Sequence, residues 1–375
     1  MKNIAFGCVI VLITAQIGIA EDTQIYDIGL ISIGMTIDSR ANLPNCFIND
    51  NNLVTGSTRI GVGTSYAFVW ENGSKVTFSG FMSGYSYGCG INNSDQFVCT
   101  ENGSPVLWQK EDIPRFGPSW DKVNLQTLPA TAIAHPLGIS DSGRIVGFHY
   151  YNFPMLLKHT ALMWKDDQVV DLGTMHDDDN FSAAYSINNS DQVVGYSGDN
   201  AFLWQNNQWK DLGKIGNDVS AIALSINNNG QVVGYSSDSD DNRHAFLWQE
   251  DKINSLNGPD STESWAYGIN EAGKVVGAFQ TDDGPRACLW DNGELIDLNL
   301  FVEDTGWVLQ EAFDINNSDM VVGYGINPNN QSYCGFIIEV PEPGSIMFML
   351  TGLLWLTKQR KRNRACSFSC VNDLH

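Results

Sequence analysis

A phrase of nine residues, Ile-Asn-Asn-x-Gly/Asp-x-Val-Val-Gly, recurs seven times in this 375-residue chain, opening at Ile48, Ile91, Ile139, Ile187, Ile226, Ile269 and Ile315. Each copy leads, after a variable gap, to a version of Ala-Phe-Leu-Trp, a short turn and Asp-Leu-Gly, and neighbouring copies lie 39 to 48 residues apart. Self-similarity at that period demands stacked equivalent units, each too small to bury its apolar face alone.

Each unit reads as four strands. In the fifth copy these are Ser220 to Ile226, Gln231 to Ser236, His244 to Trp248 and Lys252 to Leu256. The turn Asn227-Asn228-Asn229-Gly230 joins the first two, and the acidic loop Ser237 to Asn242 joins the next two. Asn-Gly pairs at Asn72-Gly73, Asn102-Gly103 and Asn292-Gly293 accept the positive φ of tight hairpins. Runs such as Val-Val-Gly-Tyr are β-branched and too short for helices. Four antiparallel strands in about 40–45 residues is the size of a propeller blade, whereas a parallel β-helix has shorter coils without hairpins. The seventh copy stops without its Asp-Leu-Gly strand, and Gln24-Ile25-Tyr26-Asp27-Ile28-Gly29 supplies a matching one. The expected fold is therefore an all-β, seven-bladed β-propeller over residues 21–340, closed by its N-terminal strand, with a hydrophobic C-terminal helix beyond it.

The alignment places Trp70, Trp108, Trp164, Trp204, Trp248 and Trp290 at one register, with Ile338 in the seventh copy. Such a position is expected in the core between blades, since each large aromatic buries roughly 150–250 Å². Trp209, Trp265 and Trp307 fall outside it and are expected to be the more exposed. The cysteines of the body, Cys46, Cys89, Cys99, Cys288 and Cys334, form no zinc-like spacing. Cys89 and Cys99 flank one hairpin, so a local disulfide and buried thiols are both open.

Between Glu21 and Pro343 the chain carries 15 basic and 42 acidic residues, a net charge of −27. That surface repels phosphates and anionic lipid, so no nucleic-acid partner is expected. Residues 1–20 read as a signal peptide: Lys2, an apolar stretch from Ile4 to Ile13, and Gly18-Ile19-Ala20 before Glu21. At the other end come Val340-Pro341-Glu342-Pro343-Gly344, the apolar run Ser345 to Leu356, and a basic cluster over 358–364. On chemistry alone this is a membrane anchor whose positive end stays cytoplasmic, although a dozen apolar residues fall short of the roughly 20 of a full span.

The ordered tail resembles the PEP-CTERM sorting signal of exopolysaccharide-producing bacteria. The matching residues are Pro341, Glu342 and Pro343, then the helix, then Arg360, Lys361, Arg362 and Arg364, over residues 341–364. The resemblance implies recognition and removal by an exosortase-type membrane protease. Here an extension, residues 365–375, continues past the cluster with Cys366 and Cys370. The repeats are similar to the extracellular HAF repeats, whose tripeptide stands here as His244-Ala245-Phe246. That family implies export and no catalytic residues.

Little else signals chemistry. Gly84-Tyr85-Ser86-Tyr87-Gly88 satisfies GxSxG, but a hydrolase elbow needs a helix after the serine and the repeat puts a strand there. His135, His149 and His159 are too scattered in the repeat to nominate as a triad. The Asp-rich segments His176 to Asn180 and Asp238 to Asn242 lack the spaced ligands of a Ca²⁺ loop and read as solvated loops, so no cofactor is expected. The expected function is a non-enzymatic surface or matrix protein acting in binding or adhesion, with polysaccharide or a surface protein as partner. Its contacts are expected at variable loops between second and third strands, Asp238 to Arg243 and Thr281 to Pro285. Two alternatives stand beside it: a secreted glycan-active enzyme with paired carboxylates, and a permanently membrane-anchored protein.

Overall fold

The computed structural model describes residues 24–31, 46–59, 65–78, 86–113, 117–128, 133–150, 158–166, 168–256 and 263–341. Ile25–Val340 forms one unit of seven four-stranded antiparallel sheets, six of them built from consecutive strands. Numbered in chain order, blades 1 to 6 span 46–78, 86–124, 133–173, 182–211, 220–255 and 264–297. Blade 7 takes three strands from 308–339 and its outermost from Ile25–Leu30, which pairs antiparallel with Ser332–Glu339. The first strands of neighbouring blades touch around the whole ring, including blade 7 against blade 1. This is the seven-bladed β-propeller closed by an N-terminal strand that the repeats predict.

The phrase folds as it does for two steric reasons. Four residues after each Ile stands Asn52, Asp95, Gly143, Asp191, Gly230, Gly273 or Asp319, and all seven have positive φ, between 55° and 80°. Only Gly, Asn and Asp adopt that conformation readily, so the position varies among those three alone. The Gly of Val-Val-Gly answers a different constraint. Every first strand from blade 2 to blade 7 carries a bulge. In blades 3 to 7 the bulge throws the strand's carbonyl against that glycine: a Cβ on Gly195 or Gly234 would lie 1.9 or 2.0 Å from it. The bulged residues Leu137, Tyr185, Leu224, Tyr267 and Phe313 turn into the shared central core.

The tryptophan register holds in three dimensions. Trp70, Trp164, Trp204, Trp248 and Trp290 each pair with the residue opening their blade's second strand, and all are buried. Trp108 pairs likewise with Phe97 and is partly buried, and in blade 7 Ile338 pairs with Val321. The expectation for the other tryptophans is corrected. Trp265 and Trp307 are buried and Trp209 packs edge-on against Phe202 at 4.6 Å, because first and fourth strands also face a neighbouring blade. Cys46, Cys288 and Cys334 are free buried thiols and Cys99 is also buried, with Cys46 pushed up to about 12 by burial. The side chain of Cys89 lies outside the described residues, as do the signal peptide, the apolar tail, its basic cluster and the 365–375 extension. Among the described residues no helix is long and apolar enough to cross a membrane.

Candidate functional site at the axial mouth

The seven Ile-Asn-Asn turns converge on the axis and enclose a cavity of about 150 Å³ lined by the Ile anchors and the residues just after them. Two concentric hydrogen-bond rings build its wall. In the inner ring the residue after the Ile is Asn in every blade but the third. Its Nδ2 donates to the equivalent backbone carbonyl of the next blade, from Asn49 to Asn92, Asn92 to Ser140, Asn188 to Asn227, Asn227 to Asn270 and Asn270 to Asn316, at 2.9–3.2 Å. Asn316 closes the circle onto Asn49 at 3.0 Å, across the seam between the last blade and the first. The Oδ1 of each also accepts two N–H groups of its own turn, as Asn227 does from Asn229 and Gln231. One side chain thus fixes the turn and the blade interface together.

The outer ring is complete in all seven blades. Asp50, Asn93, Asp141, Asn189, Asn228, Glu271 and Asn317 each donate their backbone N–H to the side chain of the next member, at 2.8–3.2 Å. Amide side chains also donate to the carboxylates: Asn93 and Asn317 to Asp50, Asn189 to Asp141, and Asn228 to Glu271. Acid and amide therefore replace one another by acceptor capacity, the one property this position keeps.

Asp314 departs from the pattern. The residue before the Ile is Gly90, Gly138, Ser186, Ser225 or Gly268 in blades 2 to 6 and Phe47 in blade 1; first strands crowd at the glycines, and a Cβ on Gly268 would lie 2.9 Å from the Asp314 backbone. In blade 7 the position is Asp314, which lines the cavity and accepts the N–H of Ile48 at 3.0 Å and of Ile315 at 2.9 Å. Burial, with the charge of Asp50 adding to it, pushes its carboxyl up to about 7 against the pull of those N–H donors.

The mouth is thus a rigid, negatively charged collar of amides and carboxylates, suited to a polyhydroxyl or cationic group and poor for anions. It lies on the repeated phrase, away from the two variable loops at Asp238 to Arg243 and Thr281 to Pro285. Thr281 pairs with Gly284 across a two-residue turn, leaving no long loop there. Asp238 caps its own turn, accepting from Asp240 and Asn242, and those bonds hold its carboxyl below the usual range. Asp179 is likewise spent on His176 N–H and Ser197 Oγ. Among the described residues no group of three or more His, Cys, Asp or Glu side chains is placed to hold a metal ion. Ser86 opens a strand, not a helix. Of the sorting residues only Pro341 is described.

The histidines are not scattered. All three sit on blade 3, and two share a face with aromatic rings: His135 and His159 stand 5.1 and 5.2 Å from Phe148, with Tyr150 against both. His135 bonds Thr100 at 3.0 Å, His159 bonds the Tyr196 hydroxyl at 2.6 Å, and His149 bonds Thr160 at 2.9 Å on the opposite face. Strand pairing brings them together and gives each a structural partner.

No protein-family profile and no curated protein matches this sequence. Solved structures do. The β-propeller domain of the Trilobed protease from Pyrococcus furiosus, described as having an open velcro topology, superposes with a TM-score of 0.51 at 10% identity over 80% of this chain and 93% of that one. YCF48 bound to D1 peptide follows at 0.49 and 9% identity, over 86% and 96%. A puromycin-hydrolysing peptidase of Mycobacterium tuberculosis gives 0.48 at 10% identity, and this chain, covered over 84%, spans 56% of it. At such identities the likeness shows a β-propeller and nothing finer.

Proposed function

We propose that this chain is an exported, non-enzymatic binding protein of the cell surface or extracellular matrix, sorted and cleaved at its C-terminal segment by an exosortase-type protease, with a polysaccharide or surface protein as partner. The N-terminal leader pattern and the Pro-Glu-Pro, apolar and basic order of the tail support export and sorting. The observation that carries the binding reading is the closed collar: Asp50, Asp141 and Glu271 all serve as acceptors for neighbouring amides. A surface assembled in advance loses little entropy on binding. Cell fractionation with mapping of both mature termini tests the sorting half, and recovery of an intact Arg360–Arg364 cluster on the mature protein defeats it. A glycan array probed with the soluble body, alongside capture of surface proteins, tests the other half. Retention of neither sinks it.

A glycan-active enzyme is favoured by one observation, two carboxyls, Asp314 and Asp50, lining a single cavity, with burial pushing that of Asp314 up. Release of reducing ends that vanishes in Asp314→Asn would establish it.

A further inference from the structure

Three arginine side chains are described within the ring. Arg144 and Arg286 are ion-paired, with Asp191 and with Asp297. Arg243 is held differently. It opens the third strand of blade 5, and its guanidinium lies over the Tyr235 ring at 5.1 Å and the Trp265 ring at 6.0 Å. It makes no ion pair or hydrogen bond to a described residue, and it is only partly buried. Its N–H donors are oriented by stacking and left open, the arrangement in which a guanidinium grips a carboxylate bidentately.

Beside it lies Glu311, on the first strand of blade 7. Glu311 accepts the hydroxyls of Tyr267 at 2.9 Å and Tyr324 at 3.1 Å, and burial pushes its carboxyl up. Tyr324 in turn meets Tyr333 at 6.0 Å, and Tyr333 is 51% exposed. Arg243, Trp265, Tyr267, Glu311, Tyr324 and Tyr333 therefore form a row across blades 5, 6 and 7 at the end opposite the mouth. The row offers one fork of donors at Arg243 and an open ring for a sugar face at Tyr333, with the buried Glu311–tyrosine group holding the strands between them. Position by position the row is unlike its equivalents: the place of Glu311 is held by His135, Ala183, Ile222 and Trp265 in blades 3 to 6.

We propose that this row is a carbohydrate subsite for a sugar bearing one carboxylate, a uronic-acid-type residue in an otherwise neutral glycan. The carboxylate sits on Arg243, and a further sugar of the same glycan lies on the Tyr333 face. A densely charged polyanion is disfavoured by the −27 body, so an isolated acidic residue is the fit. The inference deepens the glycan-binding reading above and rests on it.

The test uses the soluble propeller and two probes, an oligosaccharide ending in glucuronate and the same oligosaccharide with that carboxyl reduced to the alcohol, measured by calorimetry. The glucuronate probe is expected to bind at least about tenfold tighter than the reduced one. Arg243→Gln is expected to erase that difference, Arg243→Lys to recover part of it, and Tyr333→Ala to weaken both probes, all with unchanged melting. Equal binding of the two probes, no binding of either, or an unaltered preference in Arg243→Gln overturns the subsite. So does equal binding of an acidic peptide, which would make the row a peptide site. Retention of neutral glycans on the array with no glucuronate preference leaves the general binding reading standing while this one falls.

Discussion

At the mouth, seven blades put interchangeable residues in one place, and each is gripped by its neighbour. At the far end the same first strands carry His135 in blade 3, Trp265 in blade 6 and Glu311 in blade 7, with no common chemistry around the ring. The turns at the mouth both shape a blade and join it to the next, so their residues answer to the whole circle. The strand ends opposite join only locally and are free to diverge. Repetition therefore marks where the ring is held together, and divergence marks where it is free to discriminate.

That contrast breaks first on the inner collar. Asn227→Ala removes the bond to Asn270 and strands two N–H groups of its own turn, so a loss of about 2–4 kcal/mol is expected in urea unfolding. A loss below 1 kcal/mol would mean the collar is ornament to the packing. Asp314 gives the next largest effect, and its sign is set by its raised carboxyl. The folded state holds the proton up to about 7 and the unfolded chain only to near 3.8, so its stabilising contribution is complete below pH 4 and lost as pH rises through 7. Asp314→Asn is expected to flatten that part of the stability curve, so that its advantage over the wild type grows as pH rises from 4 to 8. A parallel pH profile for the two proteins would remove the buried carboxylate from consideration.

Blade 3 allows the comparison to be sharpened by addition. Ser140 stands where six blades have Asn, and its hydroxyl reaches only Ser142 and Arg144 in its own turn, while Arg144 reaches Asp191 of blade 4. Ser140→Asn is expected to complete the inner ring and raise stability by about 1 kcal/mol, read from the melting midpoint. Destabilisation would show that the Arg144–Asp191 pair has already taken that space. Tyr333→Ala at the far end is expected to change stability by less than about 0.5 kcal/mol, since about half of that residue is exposed. An unfolding penalty comparable to that of Asn227→Ala would end the distinction between the two ends.

Much of the architecture was legible because it rests on local sterics repeated seven times. Positive φ restricts one place to Gly, Asn or Asp, and indoles mark the third strand. The unfinished seventh copy matched the spare strand Ile25–Leu30. The mouth was half legible. The residue two after each Ile is always a side-chain acceptor, from Asp50 through Glu271 to Asn317, and that shared property was the available signal. What hid it was scoring the turn by its backbone demands alone, which assigns Asn and Asp to geometry and leaves nothing for the neighbouring blade. Asp314, Arg243 and Glu311 were not legible. A carboxylate among Gly and Ser looks like a surface substitution until crowding at the axis is known. An arginine held by ring stacking and not by an ion pair cannot be recognised before the strands are placed.

The strand that completes blade 7 has a kinetic consequence. Asp27 bonds Asn327 across 300 residues of chain, and Lys75 of blade 1 reaches the carbonyls of Ile28 and Leu30. Blades 1 to 6 pair strands nearby in sequence and are free to form early, whereas closure waits for the last blade to exist. Bringing ends together over so long a span costs conformational entropy that only the finished interface offsets, which makes the seam the slow step of assembly. Until then the last blade keeps an open strand edge, a template for pairing with another chain, so this protein is most exposed to aggregation just before its circle shuts.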